Sequence, residues 1–583
     1  MSFGLKVVAS EDVPLHLLDK FDISTMPIIF RGCKTQQEVA KKFIEEVTES
    51  TRTIEKLLKT NESIIMSKED WCKHRATLKC DFCKCDIRGG EKVRDHCHLS
   101  GKFRYTLCNK CNLDLQQPNF VPCFLHNLTN YDAHFIVTEL GYDSKTISVI
   151  PNSEEKFISF SKYVSNTFTV RFIDTFRFMP SSLSNLAANL VTPNLTKFRE
   201  TAKVFRPVDM SLVTRKGVYP YEYTDSWEKL DETSLPSMNN FYSSLTESNI
   251  DNTEYQHVLE VWKHFKCKTL GEYSDLYLKI DVLLLVDVFE NFRDICLKAY
   301  CIDPAYYYTA PGMAFDCMLK KTAIKLELLT DYDMVLAFEK GIRGRLVQAS
   351  MRYAKANHEK APDFDSRKSN AWLVYQDCNN LYGWAMSEYM PFGDFKWVEP
   401  SLSGLDDLDD TSPIGRKKVP GFFSDETDGH TMTEFCALRA KSYAYKIIGK
   451  DERGDDKTHE KIKAKGIRGH VVKKHMTLED HKKCLFGEDG VEVYKENVSI
   501  RSFKHQIKTI KSNKLTYNSY DDKRVVLADK INTLAHGHYS IDEDEPDDVW
   551  SELDSEVDAE GMKWSEQDKD LMRGLLHHTS NLS

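Results

Sequence analysis

The sequence predicts a multidomain chain of mixed α/β (α+β) class, and three kinds of stretch carry that expectation. The run LVYQDCNNLYGWAMSEYM at 373–390 reads as a buried strand ending on Asp377, then a tight turn, then an apolar helix start carrying Tyr382. Apolar residues at helical spacing mark TQQEVAKKFIEEVTESTRTIEKLLKT at 35–60 and EYSDLYLKIDVLLLVDVFENF at 272–292. The segment EFCALRAKSYAYKI at 434–447 reads as a strand. A length of 583 residues exceeds what one hydrophobic core serves, so two to four domains are expected.

Composition narrows the class further. With 41% hydrophobic and 29% charged residues the chain is expected to be a soluble globular protein. Its longest apolar run, VLLLVDVF at 282–289, is far short of a membrane span and contains a charge. The start, MSFGLKVVAS, does not read as a secretory signal, so an intracellular location, nucleus or cytoplasm, is expected. Sixteen cysteines, half of them between Cys72 and Cys123, point to thiols and a metal site in a reducing compartment rather than to disulfides. The net charge of −10 is concentrated in IDEDEPDDVWSELDSEVDAE at 541–560, which holds eleven acids and no lysine or arginine. The remainder is close to neutral, which leaves DNA binding through local basic patches open.

Residues 1–75 include the first helical stretch, expected as a solvated N-terminal helical remnant without chemistry. Residues 76–119 hold the most specific signal, CDFCKCDIRGGEKVRDHCHLSGKFRYTLCNKCN at 80–112. Cys80 and Cys83 form one C-x-x-C knuckle and Cys108 and Cys111 a second, the spacing of a four-thiolate structural Zn2+ site. Zinc would hold together a unit too small for its own apolar core. Cys85 and Cys97 are further thiols, so the choice of four ligands stays open. Between the knuckles lie Asp95, His96 and His98, and Asn112 follows the last cysteine. This resembles the zinc-stapled His-Me (HNH) endonuclease unit of phage recombination endonucleases. The resemblance implies that His96 activates water while Asp95 and Asn112 hold a divalent ion, Mg2+. The family's Arg-Gly before the second knuckle is Arg104-Tyr105 here, so a structural or DNA-gripping unit stands as the alternative.

Residues 120–300 contain FLHNLTNYDAHFIVTELG at 124–141, in which Asn127, Tyr131 and Asp132 resemble the second motif of family B proofreading exonucleases. That resemblance implies that Asp132 meets metal ions. The segment DTFRFMPSSLSNL at 174–186 resembles the Ser/Thr-Leu-x-x-hydrophobic motif of protein-primed polymerases, which implies that Ser182 and Leu183 touch single-stranded DNA, with Phe178 free to stack on a base. A core strand followed by a serine turn explains the same residues. Tyr277 and Asp281 lie four apart on a helix, hence on one face, and resemble the third exonuclease motif, Y-x-x-x-D. The leucines and valines around them read as core, and Tyr273 and Asp275 as surface.

In 301–400, GIRGR at 341–345 resembles the Y-x-G-G/A link between exonuclease and polymerase, with Gly344 on single-stranded primer and Arg345 in place of the second glycine. The D-C-N-N-L-Y-G run at 377–383 resembles motif A of family B DNA polymerases. By that resemblance Asp377 is a Mg2+ ligand and Tyr382 packs under the incoming sugar; a strand ending in a capping aspartate is the plainer account. In 401–540, Lys441-Ser442-Tyr443 resembles K-x-Y, implying a grip on the primer terminus by Lys441 and Tyr443. Residues 461–482 and 502–524 are basic and suit a duplex-facing or a solvated surface. Residues 541–583 are expected as a disordered acidic tail.

Taken together, residues 76–540 resemble the protein-primed family B DNA polymerases of Polinton/Maverick-type transposons and related viruses. The resemblance implies a ribonuclease H-like 3′–5′ exonuclease domain with a zinc-bearing His-Me-like insert, plus a partial polymerase palm. It implies Mg2+ and Zn2+ as cofactors. Primer–template and single-stranded DNA, deoxynucleoside triphosphates and a terminal priming protein follow as partners, with no membrane. Residues 1–79 hold no first-motif D-x-E, and about 60 residues between Tyr382 and Lys441 are too few for motifs B and C. KLTYNSYD at 514–521 imitates motif B out of order and is taken as coincidence. The expectation is therefore a truncated member, inactive alone, with a non-catalytic zinc-containing DNA-binding protein or a His-Me-type endonuclease as the alternatives.

Overall fold

The computed structural model describes residues 1–34, 38–87, 92–115, 117–153, 155–342, 347–378, 389–397, 423–425, 427, 430–450, 456–487, 493–538 and 540–541. Gly344, Tyr382 and nearly all of the acidic tail lie outside these residues. The chain divides into two compact units: 1–340 with 388–402 and 496–513, and 341–387 with 403–495 and 514–583.

The first unit opens with an antiparallel pair, β1 (Ser2–Leu5) and β2 (Ile28–Arg31). Helix Val39–Leu58 follows, and its apolar residues Val39, Phe43, Ile44 and Val47 recur on one face. That face does not meet solvent. It packs with Leu128, Phe160, Val170 and Phe172 in one core, which corrects the expectation of a solvated helix. Next come β3 (Val93–His96) and β4 (Phe103–Leu107), an antiparallel hairpin, and helix Asn109–Asp114. Four further strands, β5 (Phe120–Leu125), β6 (Ile147–Ser153), β7 (Lys156–Tyr163) and β8 (Thr169–Asp174), form a sheet of order β5-β8-β7-β6. Strand β5 runs parallel to β8 and the other neighbours are antiparallel. Such a mixed arrangement buries its interior strand on both faces, as the enclosed neighbours Phe172 and Ile173 of β8 show.

The second core of this unit surrounds helix Leu270–Tyr300. Thr269 caps its start by accepting the Glu272 N–H, and Cys301 ends it in the left-handed region. Leu270, Ile280, Leu283, Leu284 and Val288 pack with Phe198, Val213 and Val258, as the apolar spacing predicts. Asp287 breaks that pattern, being buried among them. It stays there because its carboxylate accepts the N–H groups of Glu200 and Thr201 and the Thr201 hydroxyl.

In the second unit, β9 (Tyr353–Lys355) is followed by a short antiparallel pair, β10 (Gln376–Cys378) and β11 (Phe423–Asp425). Then β12 (Thr431–Arg439), β13 (Ser442–Lys450) and β14 (Asp456–Ala464) join β9 in an antiparallel sheet of order β14-β13-β12-β9. The stretch 434–447, expected as one strand, is a hairpin. Arg439 pairs with Ser442, and Lys441 at φ 64° turns the chain. Helix Leu478–Phe486 covers this sheet, with Leu478, Cys484 and Leu485 against Cys436, Leu438 and Ala444. The last long strands, β15 (Val493–Phe503) and β16 (Gln506–Tyr517), lie for the most part, over 496–513, in the first unit. Among the described residues no helix is long and apolar enough to cross a membrane.

Candidate active site

The nuclease-like cluster is built where strands end. At the end of β8, Asp174 accepts the N–H groups of Asn127, Thr129 and Phe176 at 2.9–3.0 Å. These bonds pin the loop after β5, in which Asn127 adopts φ 66° and receives the Asn130 amide on its side-chain oxygen. The pinned loop delivers Asp132 to the first turn of helix Asp132–Ile136. Burial first, and Asp174 second, push the Asp132 carboxyl up to about 7.

Helix Leu270–Tyr300 presents Tyr277 and Asp281 together. The Tyr277 and Tyr221 hydroxyls are 2.7 Å apart, and Tyr219 packs its ring on Tyr277. Asp281 is ion-paired with Lys216, whose ammonium also lies over the Tyr277 ring. Burial raises the Asp281 pKa, and Lys216 opposes that shift. Burial, then Asp281, holds Tyr277 far above the ordinary phenol range. Tyr131 lies close enough to Asp132 and to Tyr221 for their charges to interact. The direct contact on this side is the one between the Tyr221 and Tyr277 hydroxyls, next to Asp281 on the same helix face.

Each of the two carboxylates, Asp132 and Asp281, taken by itself, is favoured by nearby positive charge, which Lys216 already supplies at Asp281. Asp281 Oδ1 is buried without a hydrogen-bond partner, and Asp132 is a carboxylate that burial and a second acid disfavour. Both conditions are relieved by a nearby positive ion.

The cysteine unit brings its four expected ligands together. The sulfurs of Cys80, Cys83, Cys108 and Cys111 all lie within 4.8 Å of one another, a spread that fits tetrahedral zinc. Cys108 also caps helix Asn109–Asp114 by accepting the Cys111 N–H, so the second knuckle is a helix start. Cys85 sits beside them, 3.2 Å from Cys83. On β3, Asp95 is buried and gripped by Arg104 through both oxygens at 2.9 and 3.0 Å. His96 Nε2 is 3.1 Å from the Glu62 carbonyl and its ring is 4.9 Å from His98. Asn112 lies on the helix after β4, its N–H donated to the Cys108 carbonyl.

In the second unit Asp377 is at the centre of β10, opposite Ser424 of β11. The chain leading to it packs on the four-stranded sheet. Leu373 bridges Met432, the Tyr375 hydroxyl is 3.2 Å from that of Tyr443, and the Tyr375 and Tyr445 ring centroids are 5.2 Å apart. Residues expected as separate polymerase motifs, around Asp377 and at Lys441–Tyr443, thus meet through two tyrosines.

Several expectations are corrected. Phe178 is buried against Phe289 and Phe292, so it is not free to stack on a base. Ser182, exposed, caps a helix by accepting the Asn185 N–H, and Leu183 packs at the edge of the helical core, an arrangement compatible with the contact to single-stranded DNA expected of them. Tyr273 is buried, its hydroxyl donated to the Val218 carbonyl, and Asp275 faces Arg31 at 3.6 Å. Asp174, Lys216 and Tyr221 were missed. Asp174 opens the segment 174–186 without a pattern that marks it as acidic partner of Asp132, and no spacing rule ties the loop of Lys216 and Tyr221 to a helix sixty residues on.

A family model for DNA polymerase type B, organellar and viral, matches residues 117–404. The match begins just before β5, runs past Asp377 and covers just under half of the chain. No curated protein matches the chain. Among solved structures, Phi29 DNA polymerase complexed with primer-template DNA and incoming nucleotide is similar at 9% identity and a TM-score of 0.32, over 68% of this chain and 91% of that one. The same enzyme with primer-template DNA alone is 10% identical, with a TM-score of 0.31 over 71% and 94%. Its complex with single-stranded DNA is 11% identical, with a TM-score of 0.24 over the same shares.

Proposed function

We propose that this chain is a protein-primed family B DNA polymerase relative, of Polinton/Maverick type, with a 3′–5′ exonuclease-like domain, and that it handles DNA without extending a primer alone. The match at 117–404 carries the proposal, because it spans both the Asp132 segment and Asp377. In the polymerase half, Asp377 binds Mg2+, Tyr382 meets the sugar of a deoxynucleoside triphosphate, and Lys441 and Tyr443 hold the primer end. In the nuclease half, Asp132 and Asp281 are the carboxylates for Mg2+, and Tyr277 orients water toward the phosphodiester. Asn127 and Gly344 lie along the single strand. A two-metal transfer needs carboxylates beyond Asp377, and no motif C stands between Tyr382 and Lys441, so no extension is expected.

Primer–template binding across a salt series, with primer extension in Mg2+ alongside, tests this. Binding that weakens steeply with salt, without extended product, is expected. No binding at low salt overturns the reading. Extension that disappears in Asp377→Ala overturns its second half.

A second reading concerns the cysteine unit. Both Asp95 oxygens are already taken by Arg104, which favours a zinc-stapled DNA-gripping unit over a His-Me nuclease. Plasmid nicking lost in His96→Ala would reverse that preference.

A further inference from the structure

His134, Glu155 and His505 converge in the first unit as a group separate from the four cysteines. His134 lies on the helix that begins with Asp132, and its side chain is almost fully buried. Glu155 lies in the connection between β6 and β7, and His505 in the turn between β15 and β16. The Nδ1 atoms of His134 and His505 face each other at 3.2 Å, and one oxygen of Glu155 completes a group whose ligand atoms all lie within 4.8 Å. We propose that these three residues bind a divalent transition-metal ion of the zinc class, a second metal site distinct from the four cysteines.

Three independent features support it. The donor set is two imidazole nitrogens and one carboxylate oxygen, which suits zinc-type ions and not Mg2+ or Ca2+, which prefer oxygen ligands. The carboxylate is held in place from behind: Glu155 Oε2 accepts the Ser502 hydroxyl at 2.6 Å and Oε1 the Lys504 N–H at 2.5 Å. Such outer partners orient a ligand while leaving each oxygen a lone pair. Finally, Lys504 and His505 have φ of 48° and 60° in a two-residue turn whose usual occupants are Asn and Gly. The histidine in this strained position turns its ring toward His134 and nearly parallel to Phe157.

An ion there ties the 502–508 turn to the helix that carries Asp132. It would order the start of that helix.

The full-length chain, stripped with chelator and reconstituted with Zn2+, is assayed for bound metal after desalting, and Co2+ spectra are recorded in parallel. Two equivalents are expected in the wild type and one in His505→Asn and Glu155→Gln. Asparagine tolerates the left-handed turn, and unchanged circular dichroism verifies folding. The sulfur-to-cobalt absorption of the cysteine site stays at full intensity in both variants, and zinc slows amide exchange at 132–136 and 502–508 only in the wild type. A wild type holding one equivalent, lost in Cys80→Ser, overturns the proposal. So do two equivalents retained in both variants. Neither result bears on DNA binding, so failure here is separable from failure of the polymerase reading.

Discussion

Replacing Asp132 by asparagine should stabilise the protein without a cation, and the effect should depend on pH. Burial, then Asp174, raises this carboxyl from an ordinary 3.8 to about 7. Between those values the native state holds a proton that the unfolded chain has released. Stability therefore falls as pH rises through that window: the cost is absent below about 4 and complete above about 7. One pKa unit corresponds to about 1.4 kcal/mol. The side chain is partly exposed, so screening reduces the full shift to about 2 kcal/mol. Asp132→Asn is thus expected to be about 2 kcal/mol more stable than wild type at pH 8, with the gap shrinking toward pH 4. Hydrogen exchange of the β5 and β8 amides, wild type against variant from pH 4 to 8, reads this difference. Added Mg2+ should stabilise the wild type at pH 8 and leave the variant nearly unmoved. A gap that is flat with pH would refute the electrostatic argument.

Two further outcomes follow from single contacts. Lys216→Met leaves Asp281 buried without its cation, so a loss of about 2–3 kcal/mol in urea unfolding is expected, and a loss under about 0.5 kcal/mol would show that the pair is idle. A double-mutant cycle on Tyr375→Phe and Tyr443→Phe should return a coupling of about 0.5–1.5 kcal/mol for their 3.2 Å contact, and purely additive losses would place the hydroxyls out of reach in solution.

Local spacing explains what was legible. Two C-x-x-C pairs specify four thiols at a turn and a helix start, and those four sulfurs converge. Tyr277 and Asp281 share a face because a helix repeats every 3.6 residues, and their neighbours are core for the same reason. Family resemblance marked Asp132 and Asp377 without saying what surrounds them.

The sequence by itself determined the class, mixed α/β, together with the two cysteine knuckles and the helix face that carries Tyr277 and Asp281, because each depends on residues a few positions apart. Only the tertiary structure decided that helix Val39–Leu58 belongs to a core, that Phe178 and Tyr273 are buried, that 434–447 turns back on itself, and that Asp174, Lys216 and His505 stand beside residues hundreds of atoms away along the chain. Long-range packing chooses among faces that local periodicity leaves equivalent, and contact between segments distant in sequence has no local signature.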